Sequence, residues 1–173
     1  MLWTIDPAHS SVEFYVTHLM ITNVKGRFPE VSGMVHLDAE NPTNSWIKAQ
    51  VTTASVQTGV AQRDAHLRSA DFFDAARYPT ITFESTQVKL VDRYRCNLNG
   101  NLCLHGIKQL VSFQAAYTGL TQDLLTNAWR VGLFARTTID RRDFGMTYNQ
   151  SRTDVLLVGY KVWLEINVEA VLA

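Results

Sequence analysis

The sequence predicts an all-β domain of about eight antiparallel strands, closed as a barrel or packed as a sandwich, with one short helical insert. Three observations carry this. Apolar and polar residues alternate with period two in one segment after another. One stretch, residues 60–70, has no such alternation. The chain has 173 residues, 46% hydrophobic and 18% charged, with no Ser/Gly/Pro-rich linker, which suits one domain with a real core and rules out general disorder.

The elements follow in order. Within residues 10–20, Val12, Phe14, Val16, His18 and Met20 share a parity opposite Ser11, Glu13, Tyr15, Thr17 and Leu19. In residues 34–37 the alternation returns, with Gly33, Val35 and Leu37 on one face. Ile47, Ala49 and Val51 alternate with Lys48, Gln50 and Thr52, and Ile81 and Phe83 with Thr82 and Glu84. Leu98, Gly100, Leu102 and Leu104 face away from Asn97, Asn99, Asn101 and Cys103. Val111, Phe113, Ala115 and Tyr117 form a sixth apolar face, and Trp129, Val131, Leu133, Ala135 and Ile139 a seventh. The eighth runs from Tyr160 through Val162, Leu164, Ile166 and Val168 to Ala170. Residues 60–70 read as a short helix, Asp71–Asp74 as a second turn, and Tyr78-Pro79 as the end of the excursion, because a residue before proline avoids the helical region.

Composition excludes several functions. Sixteen basic residues balance sixteen acidic ones, so the basic excess of a phosphate-neutralising nucleic-acid binder is missing. No stretch approaches the roughly 18 apolar residues of a membrane-spanning helix. The opening Met1-Leu2-Trp3-Thr4-Ile5 has no basic region followed by an apolar one. A cytoplasmic location is therefore expected, or a periplasmic one if a leader has been removed. Cys96 and Cys103, seven residues apart, read as two reduced thiols on one strand.

Chemistry-bearing motifs are sparse. There is no Gly-x-Ser-x-Gly elbow and no Gly-x-Gly-x-x-Gly loop. His9, His18, His36, His66 and His105 show no chelating spacing; His9, His18, His66 and His105 either converge in space or are separately satisfied polar residues. Asp71 and Asp74 flank Phe72-Phe73 as turn and cap residues. Arg63-Asp64 and Arg141-Arg142-Asp143 stand beside Phe72-Phe73 and Phe144. Each pairing is a solvated face or a cation at an apolar mouth, which would suit an amphiphile with a polar head. Small or polar residues on apolar parities, namely His18, Ser85, Gly100, Ala115 and Ala135, point to a cavity.

These motifs, in order, resemble the YceI-like polyisoprenoid-binding family. Trp3-x-Ile5-Asp6-x-x-His9-Ser10-x-Val12-x-Phe14-x-Val16-x-His18 is similar to its opening signature, and Val24-Lys25-Gly26-Arg27-Phe28 to the next element. The most specific stretch is Arg63–Asp74, followed by Tyr78-Pro79-x-Ile81-x-Phe83-x-Ser85. Gly100-Asn101-Leu102, His105-Gly106 and the run from Ala135 through Ile139-Asp140-Arg141-x-Asp143-Phe144-Gly145-Met146 complete it. One departure follows His105-Gly106: Ile107-Lys108-Gln109-Leu110-Val111 lacks the family's Thr and Pro, which changes the rigidity of a turn.

The resemblance implies a lipocalin-like extended antiparallel barrel around an apolar tunnel. The implied ligand is an isoprenoid quinone or polyprenyl phosphate, bound for carriage or storage, with no cofactor, no catalysis and a homodimer as the expected assembly. Parity then assigns Val12, Phe14, Val16, Val35, Ile81, Phe83, Val131 and Leu133 to the tunnel wall. Leu67, Phe72 and Phe73 would plug one end from the insert. His18, Arg63, His66 and Arg141 are the candidates for holding a head group. Two other classes stay open: an enzyme with a convergent His/Asp site, with or without a metal, and a partner-binding β domain with a packed barrel.

Overall fold

The computed structural model describes residues 1–173, the side chain of Arg152 excepted. Its strands are β1 (Leu2–Ile5), β2 (Ser11–His18), β3 (Thr22–Phe28), β4 (Val31–His36), β5 (Trp46–Thr52), β6 (Thr80–Leu90), β7 (Arg95–Leu104), β8 (Ile107–Gln122), β9 (Trp129–Asp140), β10 (Ser151–Arg152), β11 (Val155–Leu156) and β12 (Val158–Leu172). The helix α1 (Ala61–Arg68) lies between β5 and β6. The large sheet runs β1-β4-β5-β6-β7-β8-β9-β12, and β12 pairs back onto β1, closing an eight-stranded antiparallel barrel. Closure leaves those strands no free edge to recruit another chain.

Two of the barrel staves are broken strands. β1 and β2 lie along one edge of β12, pairing with residues 170–172 and 158–167 respectively. Pro7 causes the break, since it has no N–H for the ladder. Asp6 caps the turn at Pro7–His9 by accepting from Ala8 N at 3.0 Å. The Ser10 hydroxyl then replaces the lost rung, donating to Glu169 O and accepting from Glu169 N, each at 3.1 Å. β3 and β4 form the second broken stave, interrupted at Pro29-Glu30 and pairing with β2 and β1.

Within the second broken stave β5 pairs only with β4, so the edge of β3 is left to residues 53–79, which touch it through a bridge between Arg27 and Gln57. This segment folds back over the barrel end. The Asp64 carboxylate accepts from Thr58 N at 2.8 Å and from the Thr58 hydroxyl. Arg63 donates to Thr58 Oγ1 at 2.7 Å and Thr58 O at 2.8 Å. With its entry locked, the segment lowers Phe73 onto Phe14 and Phe28, with ring centroids 6.0 and 5.3 Å apart. These are edge-on contacts that aromatic quadrupoles favour.

β1, β3 and the two-residue β10 and β11 are additions to the strands read from sequence. β1 has four residues, too few for alternation to register. β3 carries Gly26 on its inward parity, and the Phe14 ring lies where a Cβ would stand. β6 and β8 also run further than expected, to Leu90 and Gln122. Each contains an irregularity, between Ser85 and Gln87 and between Tyr117 and Gly119. A bulge adds one residue and reverses parity beyond it, so Val88 and Leu90 face in where Ser85 did before. The turn at His105-Gly106 is a tight hairpin with both residues at positive φ, 54° and 72°, and β8 starts at Ile107 without the family's Thr and Pro.

Arg130 fastens the break between β1 and β2. Its Nη1 donates to Asp6 at 2.7 Å and to Glu169 at 2.6 Å, and its Nε to Asp123 at 2.8 Å. The guanidinium, with help from His9, holds the Asp6 carboxyl down at about 2. Asp123 sits at about 2 mainly because it accepts from the backbone N–H groups of Leu125 and Thr126. Both carboxylates are depressed, so their stabilisation is complete above the ordinary value of 3.8 and is lost as pH falls from there towards 2. His9 has the opposite sign: Asp6 raises its pKa above 6.5, so its share is present below that value and lost as pH rises through the raised one. Urea midpoints measured across the acid range should fall less steeply for Arg130→Met than for the wild type. Parallel curves would show that Arg130 does not hold Asp6.

Candidate functional site

Inside the barrel is one continuous cavity of about 830 Å³. At one end its floor is aromatic and aliphatic. Phe14 and Phe28 from the broken staves meet Phe73 from the insert, with Leu67 and Phe72 beside them. The walls are the inward faces of the strands, among them Val35, Ala49, Ile81, Phe83, Val131 and Ile166. At the other end it reaches exposed residues: the β4–β5 loop at Ala39, Glu40 and Pro42, and the β6–β7 turn at Leu90, Arg93 and Tyr94. That end is the mouth.

All eleven residues assigned to the wall by parity or to the plug line this cavity: Val12, Phe14, Val16, Val35, Leu67, Phe72, Phe73, Ile81, Phe83, Val131 and Leu133. The small residues on apolar parities divide by role. Ala115 and Ala135 line the cavity and leave it room. Gly100 makes space for the Phe83 ring. Ser85 accepts from Ile47 N at 2.9 Å, serving the ladder and not the cavity.

The four head-group candidates do not gather. His18 is exposed at the end of β2, beside the closed end and outside the cavity lining. His66 is exposed on α1 and pairs with Asp71 at 2.8 Å, while its ring packs against Phe72 and Tyr148. Arg63 is committed to Thr58. Only Arg141 touches the cavity. It is 3% exposed, and burial lowers its pKa. Its Nε, Nη1 and Nη2 donate to the carbonyls of Gly159, Met146 and Val158 at 2.9, 2.7 and 3.2 Å. Its plane lies 4.9 Å from the Tyr160 ring centroid and 5.9 Å from that of Phe72. Alternation placed His18 on an inward parity, but a strand's last residue escapes the barrel that parity describes. Replacing His18 by Leu should therefore leave prenyl-ligand affinity within about twofold, less than the loss of one hydrogen bond. A drop of tenfold or more in a binding titration would return it to the site.

The histidines do not converge either. His9 pairs with Asp6 at 2.9 Å, and His105 Nδ1 donates to Phe144 O at 2.9 Å. Among the described residues, the one group of three potential metal ligands is Asp6, His9 and Glu169. There Arg130 already bonds both carboxylates and supplies the positive charge. Both cysteines are free thiols on β7, as expected; Cys96 lines the cavity, and burial raises its pKa.

The mouth residues escaped the sequence reading. Leu90 and Leu120 lie beyond the two bulges, on the parity opposite to the preceding apolar residues. The signal for them was present as two apolar residues one position out of phase.

A UPF0312 protein of Azotobacter vinelandii is 36% identical over 163 residues, covering 94% of this chain and 82% of its own. The Campylobacter jejuni YceI protein superposes with a TM-score of 0.78 at 28% identity, over 91% of this chain and 90% of that one. A Saccharophagus degradans domain described as polyisoprenoid-binding shares the fold, with a TM-score of 0.73 at 15% identity over 99% and 98% of the two chains. The sequence profile of the YceI-like domain matches residues 3–170, and the chain belongs to that family.

Proposed function

We propose that this protein binds an isoprenoid lipid inside the barrel, for carriage or storage, and does not transform it. The observation that carries the reading is the cavity itself: about 830 Å³, continuous, and walled by aliphatic and aromatic side chains. A packed, purely structural barrel would have no such space. A prenyl chain offers only apolar surface and needs little stereochemical precision from its wall. At about 0.8 kcal/mol per buried methylene, each five-carbon unit contributes roughly 4 kcal/mol, so a few units exceed the cost of association. The space has room for a chain of several isoprene units. The polyisoprenoid-binding description of the Saccharophagus degradans neighbour and the family membership agree with this reading.

The head group belongs at the mouth, where it keeps its water. At the closed end Arg141 spends its donors on three backbone carbonyls. No observation favours an enzyme: His9, His66 and His105 each serve a structural contact, and His36, the one histidine lining the cavity among the described residues, stacks on Trp46 with ring centroids 5.8 Å apart and has no hydrogen bond to a second titratable group. The test is a fluorescence titration with one quinone head carrying prenyl tails of increasing length. Affinity should rise with each added unit until the tail fills the cavity, and then level off. Affinity independent of tail length would refute the proposal.

A further inference from the structure

The most exposed large apolar side chains in the described residues are Leu124 and Leu125, 96% and 93% exposed, at the tip of the β8–β9 hairpin. The tip is not loose. Asp123 Oδ1 accepts from Leu125 N at 2.8 Å and Thr126 N at 3.2 Å, and Asp123 Oδ2 holds Arg130. An ordered turn thus presents two leucines to solvent. Trp129 is half exposed at the base of the same hairpin. The neighbouring β6–β7 hairpin exposes Leu90, Val91 and Tyr94, and the two hairpins are joined by Tyr117 N donating to Tyr94 O at 2.8 Å. Both tips stand at the mouth, and Leu90 and Tyr94 line the cavity as well.

We propose that this rim docks the protein on a lipid bilayer, the leucine tip entering the headgroup boundary while the mouth faces the membrane. The inference rests on the reading that the cavity takes a lipid. Two features select a bilayer over another protein. Aliphatic tips with Trp and Tyr set behind them match the layering of a membrane interface. On the hairpin side of the rim a cation is also available: Arg95 and Arg130 have acidic partners, whereas Arg93 lies over the Tyr94 ring at 5.4 Å with no carboxylate partner among the described residues, while the acidic Glu40 stands on the separate β4–β5 loop. A protein seated on the rim would close the mouth; a membrane supplies what the cavity accepts.

The experiment is flotation of the full chain with vesicles of phosphatidylcholine containing a minority of phosphatidylglycerol. The wild type should float with the vesicles, and the double variant Leu124→Ser/Leu125→Ser should lose at least about tenfold in partitioning. That variant should keep its affinity for a short-tailed prenylquinone, because neither leucine lines the cavity. Leu19, Met20 and Ile21 form an exposed apolar turn at the closed end and provide the control: Met20→Ser/Ile21→Ser should float like the wild type. Equal flotation of the leucine variant, or no flotation of the wild type, would overturn the proposal. So would a leucine variant that changes from dimer to monomer in sedimentation while binding vesicles unchanged. Vesicle binding by a protein with no affinity for the prenylquinone would leave docking standing and remove the cargo.

Discussion

Replacing Phe14 by Asp should abolish retention of a prenyl ligand and produce the largest loss among single changes to the cavity. Phe14 is 5% exposed and packs between Phe28, Phe73 and Gly26 at the cavity floor. Removing such a ring costs about 3–5 kcal/mol in stability, and the carboxylate adds a desolvation cost that an apolar cavity cannot offset. Circular dichroism and a urea melt decide whether the variant is folded. Ala135→Trp supplies a second route, because Ala135 lines the cavity and a large ring there occupies ligand space. A folded Phe14→Asp protein carrying a full complement of lipid would contradict the site. So would an Ala135→Trp protein whose affinity for long prenyl tails is unchanged.

The second large effect falls on stability. Arg141→Leu should destabilise the protein by roughly 3 kcal/mol, because one buried and two half-buried carbonyls lose a charged donor. In a chain of this size that lowers the thermal midpoint by roughly 10 °C. The closed end depends on this residue: its fork joins the turn after β9 to the start of β12, and its face covers Phe72. Arg141→Lys should recover little, since an ammonium cannot present the planar fork that reaches three separate acceptors. A thermal midpoint within about 2 °C of the wild type for Arg141→Leu would show that the carbonyls find other donors.

What the sequence made legible was whatever depends on local periodicity. Strand faces alternate because side chains do, so Val12, Phe14, Val131 and Leu133 could be assigned inward with no knowledge of their partners. The insert was legible because Arg63–Asp74 has no alternation and ends at a proline. The rest was hidden for three physical reasons. Parity reverses at a bulge, which masked Leu90 and Leu120 and with them the mouth. A glycine chosen to admit a neighbour's ring, as Gly26 admits Phe14, weakens the strand signal of its own segment. Most of all, charge in a sequence does not say what it is spent on. Arg63 and Arg141 have the charge of head-group ligands, yet Arg63 binds the hydroxyl and carbonyl of Thr58, and Arg141 binds three backbone carbonyls. Arg130, which ties three acidic groups across the barrel seam, drew no attention because two of them, Asp6 and Glu169, are far away in sequence.

A cavity built for a prenyl chain should hold one when the protein leaves the cell. Mass spectrometry of the organic extract from freshly purified protein should find an isoprenoid lipid in near-stoichiometric amount, depleted in the extract of folded Phe14→Asp. An extract with no isoprenoid, or one equally rich in isoprenoid from both proteins, would contradict it.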